Sequence, residues 1–87
     1  MTEVTLYRID HARNMRRFYA LDVQPDLFGG FMVVKEWGRI GWRGGRVMDD
    51  PHPTEALAAA AMQRQAERKR RRGYTPPDFL GFPGVLW

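Results

Sequence analysis

The sequence predicts an α+β fold, an antiparallel β-sheet of about four or five strands with one long helix packed across it. Three observations lead there. The first half is a succession of short runs rich in β-branched and aromatic residues with apolar and polar positions alternating. Those runs are joined by brief polar or glycine-containing segments of the kind that turn hairpins. The second half holds one alanine-rich helical run and no second one.

Residues 3–9 alternate loosely and form the first strand, and residues 10–14 read as a polar loop. Residues 15–23 form a second strand, with Tyr19, Leu21 and Val23 on one face and Arg16, Phe18 and Ala20 on the other. Gln24-Pro25-Asp26 ends it, because proline cannot donate to a ladder. Residues 28–37 form a third strand that puts Phe31, Val33, Lys35 and Trp37 on one side, and Gly38 offers a place for a bulge. Residues 39–43 and 46–48 flank Gly44-Gly45, a two-residue hairpin signal, and residues 49–53 end the sheet.

The helix runs from Pro53 or Thr54 to Arg72, with Glu55 where the dipole favours an anion, basic residues in the last turn, and Gly73 as the stop. Leu57, Ala61 and Arg64 form one stripe, with Ala58, Met62 and Gln65 beside it. The expected core is Phe18, Tyr19, Leu21, Phe31, Val33 and Leu57, with Tyr74 as a packing anchor. The chain has 87 residues, enough for one domain. It divides into a module over residues 1–74 and a Pro/aromatic-rich tail over residues 75–87.

An apolar fraction of 44% argues for a folded chain rather than a disordered one. Cysteine is absent, which excludes disulfides and thiolate metal sites and fits a reducing, cytoplasmic setting. No signal peptide and no membrane-spanning apolar run is read in the sequence. Net charge is +4 and unevenly placed: residues 64–73 carry six Lys/Arg against one acidic residue, Glu67, whereas residues 49–63 carry three acidic residues and no Lys/Arg. Such a balance on a small domain points to phosphate-rich partners.

The most distinctive segment is Lys35-Glu36-Trp37-Gly38-Arg39-Ile40-Gly41. It sets an aromatic ring suited to stacking on a base or sugar beside a glycine that permits close backbone approach, then a guanidinium that grips phosphate in a two-pronged fork. Trp42 fits either a second stacking platform or a plug over the core, and the plug is the favoured reading. The arginine run 68–72 covers more than a helical turn, so part of it is solvated. It reads equally as a phosphate-contacting end or as a dipole and solubility run. Arg13, Arg16, Arg17, Lys35, Arg43 and Arg46 extend a basic face around Trp37, with about half of them expected to share that face by strand alternation.

Three pieces together resemble the WGR domain, the module of DNA-break-responsive poly(ADP-ribose) polymerases and of short stand-alone bacterial proteins. They are Arg17-Phe18-Tyr19-Ala20-Leu21, Trp37-Gly38-Arg39-Ile40-Gly41, and Lys69-Arg70-Arg71-Arg72-Gly73-Tyr74, in the family's order. The resemblance implies that Trp37 lies against the sugar of a terminal nucleotide at a DNA end, that Arg39 faces the DNA backbone or a partner domain, and that Gly38 is the permissive link. The polymerase modules tend to carry Asn where this chain has Arg16; here Asn14 stands two positions earlier.

The expected function is nucleic-acid binding, of DNA with preference for an end or nick, or of RNA. The expected site is Trp37, Gly38, Arg39, Lys35, Arg43, Arg46, Arg16 and Asn14, without cofactor, metal or catalytic residue. The rival is a protein-interaction adaptor using the WGR face or the tail. An enzyme is the least favoured reading: His11 and His52 lie in separate loops, and there is no P-loop glycine pattern.

Overall fold

A computed structural model of the protein describes residues 3–42 and 45–76. The strands are β1 (Glu3–Asp10), β2 (Met15–Pro25), β3 (Phe31–Arg39) and β4 (Arg46–His52), and they form one antiparallel meander in the order β1-β2-β3-β4. A single helix, α1 (Glu55–Arg71), lies across one face. The α+β class and the long helix are therefore as the sequence predicts, with four strands among the described residues.

The register decides which residues share the helix-covered face. Leu6 is opposite Tyr19, Tyr19 opposite Trp37, and Trp37 opposite Arg46. Two pairs further along the same face, past Leu21 and Lys35, Val23 meets Val33. Leu6, Tyr19, Leu21, Val23 and Val33 thus line up beneath α1 and are buried, as are Ala58, Met62 and Ala66 from the helix. Burying each large apolar side chain of this set stabilises the fold by about 1.5–3 kcal/mol. Alanines at the contact let the helix lie close on the pleat.

Several sequence expectations need correcting. β2 continues through Gln24 to Pro25, and β4 runs through Asp49 to His52 instead of stopping at residue 48. Pro25 occupies the last pair of β2, and Pro51 lies on the outer strand β4, both places where a sheet tolerates a missing N–H. Gly38 makes no bulge, because the β2–β3 register passes through Phe18↔Gly38 unbroken. Residues 11–13 form a short 3-10 turn rather than an open loop. Leu57 is half exposed and the buried stripe is Ala58, Met62 and Ala66. Phe18 is half-buried on the helix-free face, and Trp42 is 70% exposed, so it is not a plug. His52 belongs to β4 rather than a loop.

Both helix ends are capped by sequence-specific chemistry. Thr54 is the N-cap, its Oγ1 accepting from the Leu57 N–H at 3.2 Å. At the other end Gly73 takes φ +93°, a left-handed conformation that glycine adopts without strain. The Tyr74 N–H then donates to the Lys69 carbonyl and the Gly73 N–H to the Arg70 carbonyl, both at 3.0 Å. This is the Schellman pattern, and it turns the chain back so that Tyr74 packs into the core. Thr75 and Tyr7 then exchange two backbone hydrogen bonds of 2.8 Å, tying the segment after the helix to the free edge of β1. The aromatic tail lies outside the described residues beyond Pro76.

Candidate nucleic-acid interface

Tyr19 organises the end of the sheet where the Trp-Gly-Arg segment lies. Its ring stacks on Trp37 with centroids 6.0 Å apart and meets Tyr74 edge-on at 6.2 Å. Its hydroxyl accepts a 2.8 Å hydrogen bond from Gln65 Nε2 of the helix. Burial pushes the Tyr19 phenol up, and the bond from Gln65 only partly offsets this. Two strands, the helix and the returning chain thus hold one aromatic cluster, and Trp37 is its outermost, partly buried member.

Above this cluster sits Lys69. Its Nζ lies 4.4 Å from the centre of the Tyr19 ring and 5.4 Å from that of Tyr74. Desolvation lowers its pKa first, and repulsion from Arg72 and Arg17 lowers it further. An ammonium crowded by two guanidiniums is a place where an anion is welcome.

Arg39 is held from the opposite side. Asn14 sits in the left-handed region at φ 52° and closes the β1–β2 connection. Its backbone carbonyl accepts from Arg39 Nη1 at 3.1 Å, and its Oδ1 accepts from Nη2 at 3.4 Å. Arg39 is also the cross-strand partner of Arg17. Two guanidiniums directly opposite one another would repel, and a shared phosphate relieves that repulsion.

A cleft of about 560 Å³ opens at this end of the sheet. Trp37 and Tyr74 supply aromatic surface, and Arg13, Arg17, Arg39 and Lys69 supply four cations. No carboxylate is among the lining residues. Gly38 is also at the cleft, and it is needed for proximity: a Cβ there would come within 3.1 Å of Gly45 Cα and 3.3 Å of the Phe18 ring.

Of the residues expected from sequence, Trp37, Gly38, Arg39 and Asn14 come together here. Arg46 is the exposed cross-strand neighbour of Trp37 and borders the site without lining it. Lys35 is set further in, 19% exposed, with Nζ 4.0 Å from Asp50 Oδ2. Arg16 lies on the opposite face of the sheet, since strand alternation puts Arg17 with Trp37. Arg43 lies outside the described residues. Lys69 and Tyr74 join the cleft from outside the expected site, and so do Arg13 and Arg17, which the sequence placed only in the wider basic face around Trp37. The arginine run resolves into parts: Lys69 enters the cleft, while Arg70 and Arg71 each lie 3.7 Å from Glu67 on the helix surface. No cluster of three or more His, Asp or Glu side chains suited to a metal occurs among the described residues. No described helix is long and apolar enough to cross a membrane.

A single sheet under one helix, with an aromatic-floored cationic cleft at one end, defines a small binding module. The chain belongs to the WGR domain family, whose model matches residues 2–79. It is similar to the uncharacterized protein y4dW of Sinorhizobium fredii, 39% identical over 80 residues that make up 92% of this chain and 38% of that protein. It is also similar to poly [ADP-ribose] polymerase 2 of Zea mays, 38% identical over 57 residues that make up 64% of this chain and 9% of that enzyme. The chain therefore spans well under two thirds of either relative. No solved structure gives a significant match.

Proposed function

We propose that the protein is a non-catalytic nucleic-acid-binding module that takes the end of a DNA strand in the Trp37–Lys69 cleft. The observation that carries this reading is the cleft itself, four cations around a partly exposed indole with no carboxylate lining it. Arg13, Arg17 and Lys69 attract the phosphates, and Arg39, fixed by Asn14, grips one with its guanidinium edge. The open side of Trp37 then meets a terminal sugar or base, because its other side is taken by Tyr19. The similarity to a poly(ADP-ribose) polymerase favours DNA over RNA as the strand.

The test is a titration of labelled blunt duplex, nicked duplex and single-stranded RNA across a range of salt. Four phosphate contacts give a log–log salt slope of about −3 to −4 for duplex. A flat salt dependence removes nucleic acid as the ligand.

A protein-interaction adaptor is the second reading, and one observation favours it. At the β2–β3 turn, Leu27 and Phe28 are 96% and 94% exposed. Asp26 Oδ1 fixes that turn by accepting from the Phe28 and Gly30 N–H groups, each at 2.8 Å. Binding through such an apolar tip would depend little on salt, which separates the two readings.

A further inference from the structure

Trp42 is not among the residues that line the cleft. It is 70% exposed, an unusual placement for an indole in so small a domain. Exposure alone says little, because single surface hydrophobes are common. Two contacts and one backbone conformation fix this one. The Trp42 N–H donates to the Arg39 carbonyl at 3.1 Å, closing a tight turn. Gly41, at φ +81°, makes that turn possible, and nothing lies within 4 Å of where its Cβ would be. The Arg39 guanidinium lies over the Trp42 ring, 5.9 Å from its centroid. Arg39 is thereby shared: it lines the cleft with Trp37, is held there by Asn14, and lies over the Trp42 indole.

We infer that Trp42 is a second stacking platform, which takes an unpaired nucleobase running off the strand end held at Trp37. The inference rests on the nucleic-acid reading and sharpens it, because it names the preferred form of the end as one with a single-stranded extension. A phosphate gripped by Arg39 places the next nucleotide beside the Trp42 ring. An indole accepts any base, so the extension is read for being unpaired and not for its sequence. A blunt end has no base free to stack there.

The experiment compares a blunt duplex with the same duplex bearing about four unpaired thymidines at either the 3′ or the 5′ terminus, titrated into wild type, Trp42→Ala and Trp42→Tyr. Wild type is expected to bind one of the extended duplexes about tenfold tighter than the blunt one, the size of one base-on-aromatic stack. Trp42→Ala should keep the blunt-end affinity and lose the preference, and Trp42→Tyr should keep most of it. The inference is overturned if wild type does not distinguish extended from blunt ends. It is also overturned if Trp42→Ala weakens all duplexes equally, since Trp42 then serves only to hold Arg39. Failure of wild type to bind even the blunt duplex in a salt-sensitive way overturns the underlying nucleic-acid reading instead, and the inference falls with it.

Discussion

Trp37 lies stacked on Tyr19, its directly opposite neighbour across β2 and β3, with ring planes only 21° from parallel. The indole therefore has a structural partner and also lines the cleft. Trp37→Ala is expected to act on both properties. It should lower stability by about 2 kcal/mol, less than the 3–5 kcal/mol of a fully buried Trp. It should also weaken duplex binding about tenfold through the lost stack. Trp37→Phe should recover most of the folding and part of the binding. A melting curve and a titration on the same two variants separate the contributions. Loss of stability with unchanged binding would make Trp37 a core residue only.

Lys69 is placed at a cost to the fold. Its pKa is lowered, by desolvation first and then by Arg72 and Arg17. A base with a depressed folded pKa binds fewer protons in the native state than when unfolded. The penalty is thus in force at neutral pH and is relieved as pH climbs through the depressed value towards 10.5. Tyr19 has the opposite effect at higher pH: its raised pKa means that the fold keeps a proton the unfolded chain gives up above 10.0, so stability falls from there. Lys69→Met keeps the apolar stem over Tyr19 and removes the charge. It should melt at or above wild type at neutral pH, with the gap closing towards about pH 10, while duplex affinity falls. A variant that melts lower and binds equally well would make Lys69 a packing residue.

The close approach of Gly45, just before β4, to the end of β3 makes a third prediction. A Cβ at Gly45 would lie 2.8 Å from the Trp37 carbonyl oxygen, a backbone atom that cannot step aside. At Gly38 the tightest contacts are 3.1 Å to Gly45 Cα and 3.3 Å to the Phe18 ring. Gly45→Ala should therefore destabilise more than Gly38→Ala, with overpacking of this kind costing about 1–3 kcal/mol. Equal melting temperatures for the two variants would mean that this end of the sheet relaxes freely.

Most of the fold was legible because its patterns are local. Alternation around Tyr19, Leu21 and Val23 gave the right face of β2, and the same holds for Val33, Lys35 and Trp37 on β3. What failed was punctuation and weighting. Pro25 and Pro51 look like breaks in the sequence, but a proline at a strand end or on an outer strand leaves the ladder intact. Leu57 drew the helix stripe towards itself by its bulk, whereas the buried stripe is Ala58, Met62 and Ala66, whose two alanines let the helix sit close. Continuing that stripe by one more turn reaches Lys69, so the signal for the cleft's lysine was present and hidden by five neighbouring charges of the same sign. Arg17 was likewise assignable, since it shares parity with Tyr19 and Arg16 does not. Its pairing with Arg39 depends on the β2–β3 register, which hydrophobic pattern alone did not fix.

Arg16 and Arg17 are adjacent, both exposed, and on opposite faces of the sheet. Exposed charges of this kind contribute little to stability, so charge reversal at either should leave melting nearly unchanged. The most direct test of the central claim is therefore duplex affinity at a fixed moderate salt concentration for Arg17→Glu against Arg16→Glu. The cleft account predicts that Arg17→Glu lowers affinity tenfold or more and makes the salt slope shallower by about one unit or more. Arg16→Glu should change affinity by no more than about threefold, the share of a charge that acts only through the overall field. Equal losses in the two variants, or a larger loss for Arg16→Glu, would contradict the account and place binding away from the Trp37–Lys69 cleft.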